Sequence, residues 1–417
     1  MKKLLFIESN TTGTGMLALI KARELGFTPV LLTNNPGRYI GLEETKCIVL
    51  ECDTNNLNCI REIIDSEFEA GEIKAITTTS EFYIEVVAIL AKELGLIGNP
   101  VDTVKTCRNK AEMRLLLKGV ENIYEPWFYI IGSLEKLELV KDDINFPCIV
   151  KPVDDSGSNN VLKCYSYEEV KRHTEKILSN KYNVRSQKNA QNILVEEYVS
   201  GQEYSVEIFA HTGKCKVVGV TQKIVDGEPY FIECGHIFPA PVSDDIRLVI
   251  ERGVTKIIEK VNWQNGPCHL EIKIRGEKIF LVEFNGRLAG GMIPELIKYA
   301  TGIDLLKEQL KVVTRMRPKL DQNPILYAGI RFIIPLRDGK ITSIFGAKDI
   351  ENTVGIKEVK LRTIVGESIR KVENAYGRIG HVIGAAENIN ELNSILDKSM
   401  DALHIEIEEC EDYEDFD

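Results

Sequence analysis

Short apolar runs alternate with amphipathic stretches along the first hundred residues. Leu4–Ile7, Pro29–Thr33, Ile48–Leu50 and Ala75–Thr78 read as buried strands, and Met16–Leu25 as a helix between the first two. This rhythm predicts a parallel sheet flanked by helices, so residues 1–100 are expected to form a Rossmann-like α/β domain ending at Asn99-Pro100. A helical stretch runs from Val101 to about Leu117. A β-rich segment then reaches Phe146-Pro147-Cys148-Ile149-Val150-Lys151-Pro152, and a lysine-rich helical insert covers about 167–190. From Ile193–Tyr198 onward the pattern is strand after strand: Tyr204–Ala210, Lys216–Thr221, Tyr230–Glu233, Cys268–Ile274 and Ile279–Phe284. A last unit reads as strands at Gly329–Ile334, Ile341–Phe345 and Ile356–Leu361, a helix near Ile389–Ala402 and a closing strand. The expected architecture is a multidomain α/β and α+β chain divided at about 1–100, 101–190, 191–320 and 321–417.

Composition narrows the class. A chain of 417 residues exceeds one ordinary core, which supports several domains. Hydrophobic content of 44% beside 28% charged residues is the balance of a soluble globular protein. No apolar run approaches the roughly 20 residues needed to span a bilayer. The opening Met1-Lys2-Lys3 is followed by only four apolar residues before Glu8, which fits a first strand better than a signal peptide. The net charge of −11, with an acidic end over Glu408 to Asp417, argues against nucleic acid as a partner, because phosphate backbones need a basic face. The ten cysteines form no Cys-x-x-Cys pair and no zinc-like Cys/His spacing, and Cys148 and Cys268 sit in apolar runs. They read as reduced, buried thiols of a cytoplasmic protein.

The first turn, Thr12-Gly13-Thr14-Gly15-Met16-Leu17-Ala18, contains G-x-G-x-x-A between a strand and a helix, the context of a dinucleotide fingerprint. The second strand, however, ends in Thr33-Asn34-Asn35 with no acid to hold a ribose. A tight turn, with the helix N-terminus available to a substrate carboxylate, accounts better for the glycines.

Two strands near residue 275 carry the densest chemistry. Residues two apart on a strand share a face, so His269, Glu271 and Lys273 lie together, as do Glu283, Asn285 and Arg287. A three- or five-residue turn around Gly276-Glu277 would set Glu271 opposite Glu283. Converging carboxylates repel unless a cation lies between them, and an all-oxygen ligand set suits Mg²⁺ with bound phosphates. Arg287 could grip a phosphoryl group or a carboxylate. A merely solvated sheet face explains Glu277 and Lys278, but not the acid–amide–arginine alternation beside Leu281 and Phe284.

A second constellation places Lys151 at the end of an apolar strand, followed by Asp154-Asp155-Ser156-Gly157-Ser158-Asn159-Asn160. Such a loop is either an ordinary turn or a flexible cover whose backbone donors fold over a polyphosphate. A third, Val195-Glu196-Glu197-Tyr198-Val199 followed by Gly201-Gln202-Glu203-Tyr204-Ser205-Val206-Glu207, is either a hairpin or an edge offered to a nucleobase, with Glu203 near a ribose.

The order of Lys110, Val150-Lys151-Pro152, the small-residue loop, Glu196–Val199, Gly201-x-Glu203, Glu271 and Glu283-x-Asn285-x-Arg287 resembles the ATP-grasp superfamily over about residues 100–310. The resemblance implies a two-subdomain nucleotide-binding core within 101–320. It implies that Lys110, Lys151, Ser156, Gly157 and Ser158 meet ATP phosphates, with Lys223 as a further phosphate-binding candidate. Glu196, Glu197, Tyr198, Val199 and Glu203 would surround the nucleoside. Glu271, Glu283 and Asn285 would hold Mg²⁺ (or Mn²⁺), and Arg287 would stabilise the transferred phosphoryl group.

Within the superfamily the chain is most similar to L-amino acid ligases (dipeptide synthases) and related carboxylate–amine ligases. Glu233-Cys234-Gly235-His236, Gly266-Pro267-Cys268-His269-Leu270-Glu271, Glu283 to Gly291, Arg331-Phe332 and Gly377 to Val382 carry that likeness. It implies amide formation through an acyl phosphate with release of ADP and phosphate. Small carboxylate and amine substrates, amino acids among them, would meet Arg287, Gly290 and His236, and a homodimer is compatible. Gly286, where relatives often have Pro or Ala, is expected to loosen the turn between Asn285 and Arg287. His236 and His269 read either as general bases or as buried, hydrogen-bonded residues. Rival functions are a purine- or biotin-pathway carboxylase or formyltransferase, and an ATP-binding sensor without turnover.

Overall fold

The computed structural model describes residues 2–11, 14–226, 231–372 and 377–408. Thr12 and Gly13 of the first turn, Tyr230 and the acidic end beyond Glu408 lie outside the described residues.

Strands β1 (Lys3–Ile7), β2 (Thr28–Thr33), β3 (Ile48–Glu51) and β4 (Ile73–Thr77) form a parallel sheet in the order β3-β2-β1-β4. Leu4, Leu5, Phe6 and Ile7 are all fully buried, as expected for a strand covered on both faces. The helix Thr14–Glu24 begins just beyond β1. A Cβ on Gly15 would lie 1.8 Å from the Asn10 carbonyl oxygen, so only glycine permits this approach of helix to strand end. Glu8 is fully buried and accepts hydrogen bonds from Thr33 Oγ1 (2.9 Å), Asn34 N (2.8 Å) and Thr54 Oγ1 (2.7 Å), and from the Tyr39 hydroxyl. These bonds saturate the carboxylate at the end of β1.

The expected helix from Val101 to Leu117 is two helices, Val101–Arg108 and Lys110–Leu116. Asn109 breaks it: its side chain accepts from Ala111 N (3.0 Å) and Glu112 N (3.2 Å), capping the second helix. A second sheet follows, built from β5 (Phe128–Ile131), β6 (Cys148–Pro152), β7 (Leu162–Cys164) and β8 (Ile193–Glu197) in the order β5-β8-β6-β7. Because β8 pairs with β5 and β6, this sheet extends past the boundary expected at residue 190. The helix between β7 and β8 spans only Tyr167–Ser179, shorter than the expected insert; the polar chain beyond it turns back and carries Arg185.

The third and largest sheet is antiparallel. Its members come from β9 (Glu203–His211), β10 (Lys214–Asp226), β11 (Ile232–Phe238), β12 (Gly266–Arg275), β13 (Lys278–Asn285), β14 (Tyr327–Ile333), β16 (Ile356–Leu361) and β18 (Gly380–Ala386), in the order β13-β12-β9-β10-β11-β14-β18-β16. The β11–β14 ladder carries this sheet across the boundary expected at 320. A small sheet, β17-β15-β19, joins β15 (Gly339–Phe345), β17 (Ser368–Ile369) and β19 (His404–Glu408).

One helix, Asp244–Val261, interrupts the region read as strand after strand, and two more, Ile293–Thr301 and Leu305–Val313, follow that region. The first lays Ile250, Val254, Ile257 and Val261 against Leu270, Ile279 and Phe284, forming the core beneath β12 and β13. Among the described residues no helix is long and apolar enough to cross a membrane.

Candidate active site

The β12–β13 hairpin sets the site. Its turn is the two-residue Gly276-Glu277, with Arg275 opposite Lys278, rather than the three- or five-residue turn expected. A two-residue turn alone would give Glu271 the wrong partner. A bulge at Val282 adds one residue, shifts the register, and places Glu271 opposite Glu283 and His269 opposite Asn285. The neighbouring strands complete the face. β9 sets Glu203 beside Lys273 and Glu207 beside His269, while β10 and β11 bring in Lys223 and Glu233.

Lys223 is 3% exposed and meets three carboxylates: Glu203 at 2.6 Å, Glu233 at 2.7 Å and Glu271 at 2.9 Å. Burial would lower its pKa, but these anions outweigh it and hold the ammonium well above its ordinary value. Glu271 is pushed up to about 7, by burial first and by the carboxylates of Glu203, Glu283 and Glu233, against the pull of Lys223. Glu283 is held below its ordinary value because Lys110, 2.8 Å away, outweighs burial. Lys110 Nζ also donates to the Asp155 carbonyl (2.8 Å), and Lys110 N to the Val153 carbonyl (2.9 Å). Asn285 Oδ1 is buried and accepts no hydrogen bond among the described residues.

Lys151 ends β6 in a buried triad with Glu196 (2.6 Å), which also meets Arg114 (2.7 Å). Burial raises Glu196, yet Arg114 and Lys151 together bring it down to about 2. The Glu196 side chain therefore anchors Lys151. Glu197 turns the other way and accepts from the Tyr124 hydroxyl (2.8 Å). Tyr198 stacks on Phe231 with ring centroids 6.1 Å apart and has Lys163 over its face. The Val199 carbonyl accepts from Lys273 Nζ (3.1 Å).

Most of these groups, though not Asn285, Arg114 or Tyr124, line one cleft of about 810 Å³ between the second and third sheets. Its wall carries Lys110, Lys151, Lys223 and Lys273, carboxylates paired with them, and the apolar residues Val161, Tyr198, Val225, Phe231 and Phe280. The Asp155–Asn159 loop closes one side. Asp155 accepts from Ser156 N (2.9 Å) and Asn159 Nδ2 (2.7 Å), and Gly157 and Ser158 take left-handed backbone angles.

Beyond this loop lies a second cavity of about 1730 Å³. Ser156 lines both spaces; Gly157, Arg287 and Gly290 line the second only. Arg287 Nε stands 2.9 Å from Glu81 Oε2 and its Nη1 donates to the Leu288 carbonyl (2.8 Å). Asn10, Thr11 and Thr14 bring the start of the first helix to the same wall.

His236 lines neither cavity. It is 1% exposed, packs edge-on against Phe332 at 5.4 Å and lies behind Gly291. Burial takes its pKa down to about 3, so it is neutral near pH 7 and carries no ion pair with Glu233 at 3.7 Å. This burial removes it from the surface a substrate meets. His269 behaves alike, lowered to about 3 by burial and then by Arg287. At Gly286 a Cβ would lie 2.6 Å from Trp263 Cη2 and 3.2 Å from Ile84 Cδ1, so the indole occupies the space a side chain would take.

Residues 144–295 match the ATP-grasp domain, and residues 331–408 match the L-amino acid ligase C-terminal domain 2. The chain carries an ATP-grasp domain and an L-amino acid ligase C-terminal domain, and it is an ADP-forming carbon–nitrogen ligase. This ligase is similar to an uncharacterized protein of Sinorhizobium fredii, 25% identical over 415 residues, covering 100% of this chain and 85% of the relative. It is also similar to the L-arginine-specific L-amino acid ligase of Bacillus subtilis, 23% identical over 82% of this chain and 83% of that one. Among solved structures, the L-amino acid ligase from Bacillus licheniformis superposes with a TM-score of 0.81 at 21% identity, covering 98% of this chain and 99% of that one. The ligase is thus an ADP-forming carboxylate–amine enzyme close to the L-amino acid ligases.

Several residues of the ligase's two cavities escape a reading of local pattern. Glu81 opens a short 3-10 helix, Arg185 lies in a turn, and Arg362 and Arg378 lie in irregular chain beside strands, and only the fold brings them to one wall. Arg114 meets Glu196 across 82 positions of chain. Glu233 and Lys273 were accessible from strand alternation, since each faces Lys223 or Glu203 on a neighbouring strand.

Proposed function

We propose that the ligase joins two L-amino acids into a dipeptide, with ATP as the driving reactant. A carboxylate oxygen of the first attacks the γ-phosphorus and ADP departs. The amine of the second then attacks the resulting acyl phosphate, and phosphate leaves as the amide bond forms. The observation that carries this reading is the position of β13's end: Glu283 lines the lysine-bearing cleft, while Arg287, on the same strand end, lines the second cavity. A phosphoryl group held near the first and a carboxylate held near the second would meet there.

In this reading Lys110, Lys151 and Lys223 receive the phosphates, and the apolar wall at Tyr198 and Phe231 receives the adenine. Glu203 faces the ribose, and the Val199 amide and the chain at Glu196–Tyr198 face the base. The Ser156-Gly157-Ser158 loop covers the polyphosphate and keeps water from the acyl phosphate. Arg287 orients the carboxylate and spreads the charge of the transferred group. His236 is assigned no proton transfer, and a wall role fits its burial.

The residues present fit a divalent cation. Asn285 Oδ1 is buried without a donor among the described residues, and Glu271 and Glu283 each have a lysine that phosphate could draw away. Among the described residues no three His, Cys, Asp or Glu side chains are placed to hold a metal ion by themselves, so phosphate oxygens and water would have to complete the coordination of Mg²⁺ or Mn²⁺. Glu271, Glu283 and Asn285 would hold the ion, which supplies positive charge to the phosphates when bound.

The test is ADP release with Mg-ATP over pairs of the twenty amino acids, with product masses measured. A pair-dependent ADP burst with a new amide mass supports dipeptide synthesis. ADP that forms only with bicarbonate or formate overturns it in favour of a carboxylating or formylating relative. ATP binding without turnover in any mixture would point to a sensor.

A further inference from the structure

The second cavity is built for more negative charge than one carboxylate carries. Five arginines from five separate segments line it: Arg38 beyond β2, Arg185 in the loop before β8, Arg287 at the end of β13, Arg362 after β16 and Arg378 before β18. Glu81 is the only carboxylate among the described residues lining it, and it is taken by Arg287 at 2.9 Å and Arg108 at 3.8 Å. Arg378 shares Glu233 (2.8 Å) with Lys223. Arg38, Arg185 and Arg362 have no carboxylate within 4 Å among the described residues. The nearest acceptors of the first two are neutral: Asn34 Oδ1 for Arg38 (2.9 Å) and the Ser9 carbonyl for Arg185 (3.1 Å).

Two of these guanidinium groups are buried with a donor left over. Arg185 is 8% exposed and its Nη1 has no hydrogen-bond partner among the described residues; the Arg378 side chain is equally buried and its Nε has none among them. Burial and then the charge of Arg378, opposed by the Glu358 carboxylate, push Arg362 below its ordinary value. Arginine does not escape such a site by losing its proton, and a buried donor left unpaired costs about 1–3 kcal/mol. Five guanidinium groups brought together from across the chain, two with unused donors, are therefore matched by an anion that the described residues do not provide. The nucleotide phosphates belong to the cleft on the other side of the Asp155–Asn159 loop. The carboxylate to be activated belongs at Arg287, whose charge Glu81 already balances.

We infer that the acid substrate is a dianion: a small carboxylic acid carrying a second anionic group, carboxylate or phosphate, which the arginines beyond Arg287 grip as a fork. The inference rests on the reading of this cavity as the acid-substrate side of the ligase. It narrows the first substrate of that reading to an acidic amino acid or a related acid.

The test is calorimetric binding to the full chain loaded with magnesium and a non-hydrolysable ATP analogue. L-aspartate and succinate probe a second carboxylate, O-phospho-L-serine a phosphate, and L-alanine and L-leucine serve as single-carboxylate comparators. At least one dianion is expected to bind about tenfold or more tighter than L-alanine, roughly the gain of one charge-assisted fork, with an advantage that shrinks as salt rises. The tighter arm identifies which second anion the site takes. Arg362→Gln should remove about tenfold from the dianion and leave L-alanine unchanged. Arg38→Gln, on a separate element, gives the same readout if the first variant does not fold. L-alanine binding as tightly as every dianion, or dianion binding indifferent to both substitutions, overturns the inference. Dianion binding without ADP release keeps the inference and overturns the ligase reading. Amide formation from neutral amino acids alone does the reverse.

Discussion

Glu271 and Glu283 face each other across the β12–β13 ladder, and each carboxylate is met by a lysine from a distant part of the chain, Lys223 at 2.9 Å and Lys110 at 2.8 Å. The lysines hold apart two charges that would otherwise repel, and they are also the groups a polyphosphate would attract. Binding of nucleotide and metal would thus exchange one set of ion pairs for another with little change in buried charge. Glu283→Gln preserves shape and removes the charge, and Arg287→Ala removes the fork beyond it. Each is expected to lower ADP release by about a hundredfold or more, with circular dichroism and Tm close to those of the parent. A folded Glu283→Gln enzyme with parental turnover would contradict the assignment.

The Arg114–Glu196–Lys151 triad is a matter of stability first. Removing one member of a buried ion network leaves uncompensated charge and costs about 3–5 kcal/mol, so Glu196→Ala should lower Tm markedly at pH 7. The sign with pH follows from the depressed carboxyl. Its value falls from 4.5 unfolded to about 2 folded, so its contribution is full above about pH 4.5 and is lost as pH falls toward 2. The Tm gap between parent and variant should therefore narrow in acid. A gap of the same size at pH 3 and pH 7 would show that packing, not charge, is what Glu196 provides.

Gly286 stands against the Trp263 indole. A Cβ 2.6 Å from Cη2 of a residue 3% exposed requires the indole or the strand end to move. Overpacking of this kind costs about 1–3 kcal/mol. Gly286→Ala should lose that much in denaturant unfolding, and Trp263→Phe in the same chain should recover part of it. If the two substitutions add without coupling, the contact does not set the turn.

How far the site was readable follows from the range over which each feature is determined. Face alternation on β12 and β13 joins Glu271 to Lys273 and Glu283 to Asn285 within one strand, and that much is local. The pairing of Glu271 with Glu283 was reached through a turn length that is not the real one; the bulge at Val282 restores the parity, and no local pattern announces it. The helix Asp244–Val261 did leave a signal, with Ser243 at its cap and Ile250, Val254, Ile257 and Val261 on one face. It lay between strands and was read through. Arg185 was assigned to a helix that ends at Ser179, and its place in the second cavity depends on a polar loop with no period. The arginine wall is a product of topology, since its members share no segment.

Asn109 offers a way to separate positioning from stability. It caps the helix Lys110–Leu116 and thereby fixes Lys110, whose ammonium reaches both Asp155 and Glu283 at 2.8 Å. Loss of such a cap costs about 1 kcal/mol, so Asn109→Ala should lower Tm by a few degrees. Asn388, which caps Ile389–Ala402 by accepting from Glu391 N at 2.9 Å, is an equivalent cap on a helix that contributes nothing to either cavity. Asn388→Ala should cost a similar amount of stability. Only Asn109→Ala should also raise KM for ATP, by roughly threefold to tenfold if the lysine loses about 1 kcal/mol of its interaction with phosphate. Asn109→Asp, which keeps an acceptor at the cap, should restore both values. Equal KM in the two alanine variants would mean that Lys110 is held by Asp155 and Glu283 alone, and that the helix break has no part in presenting it to the nucleotide.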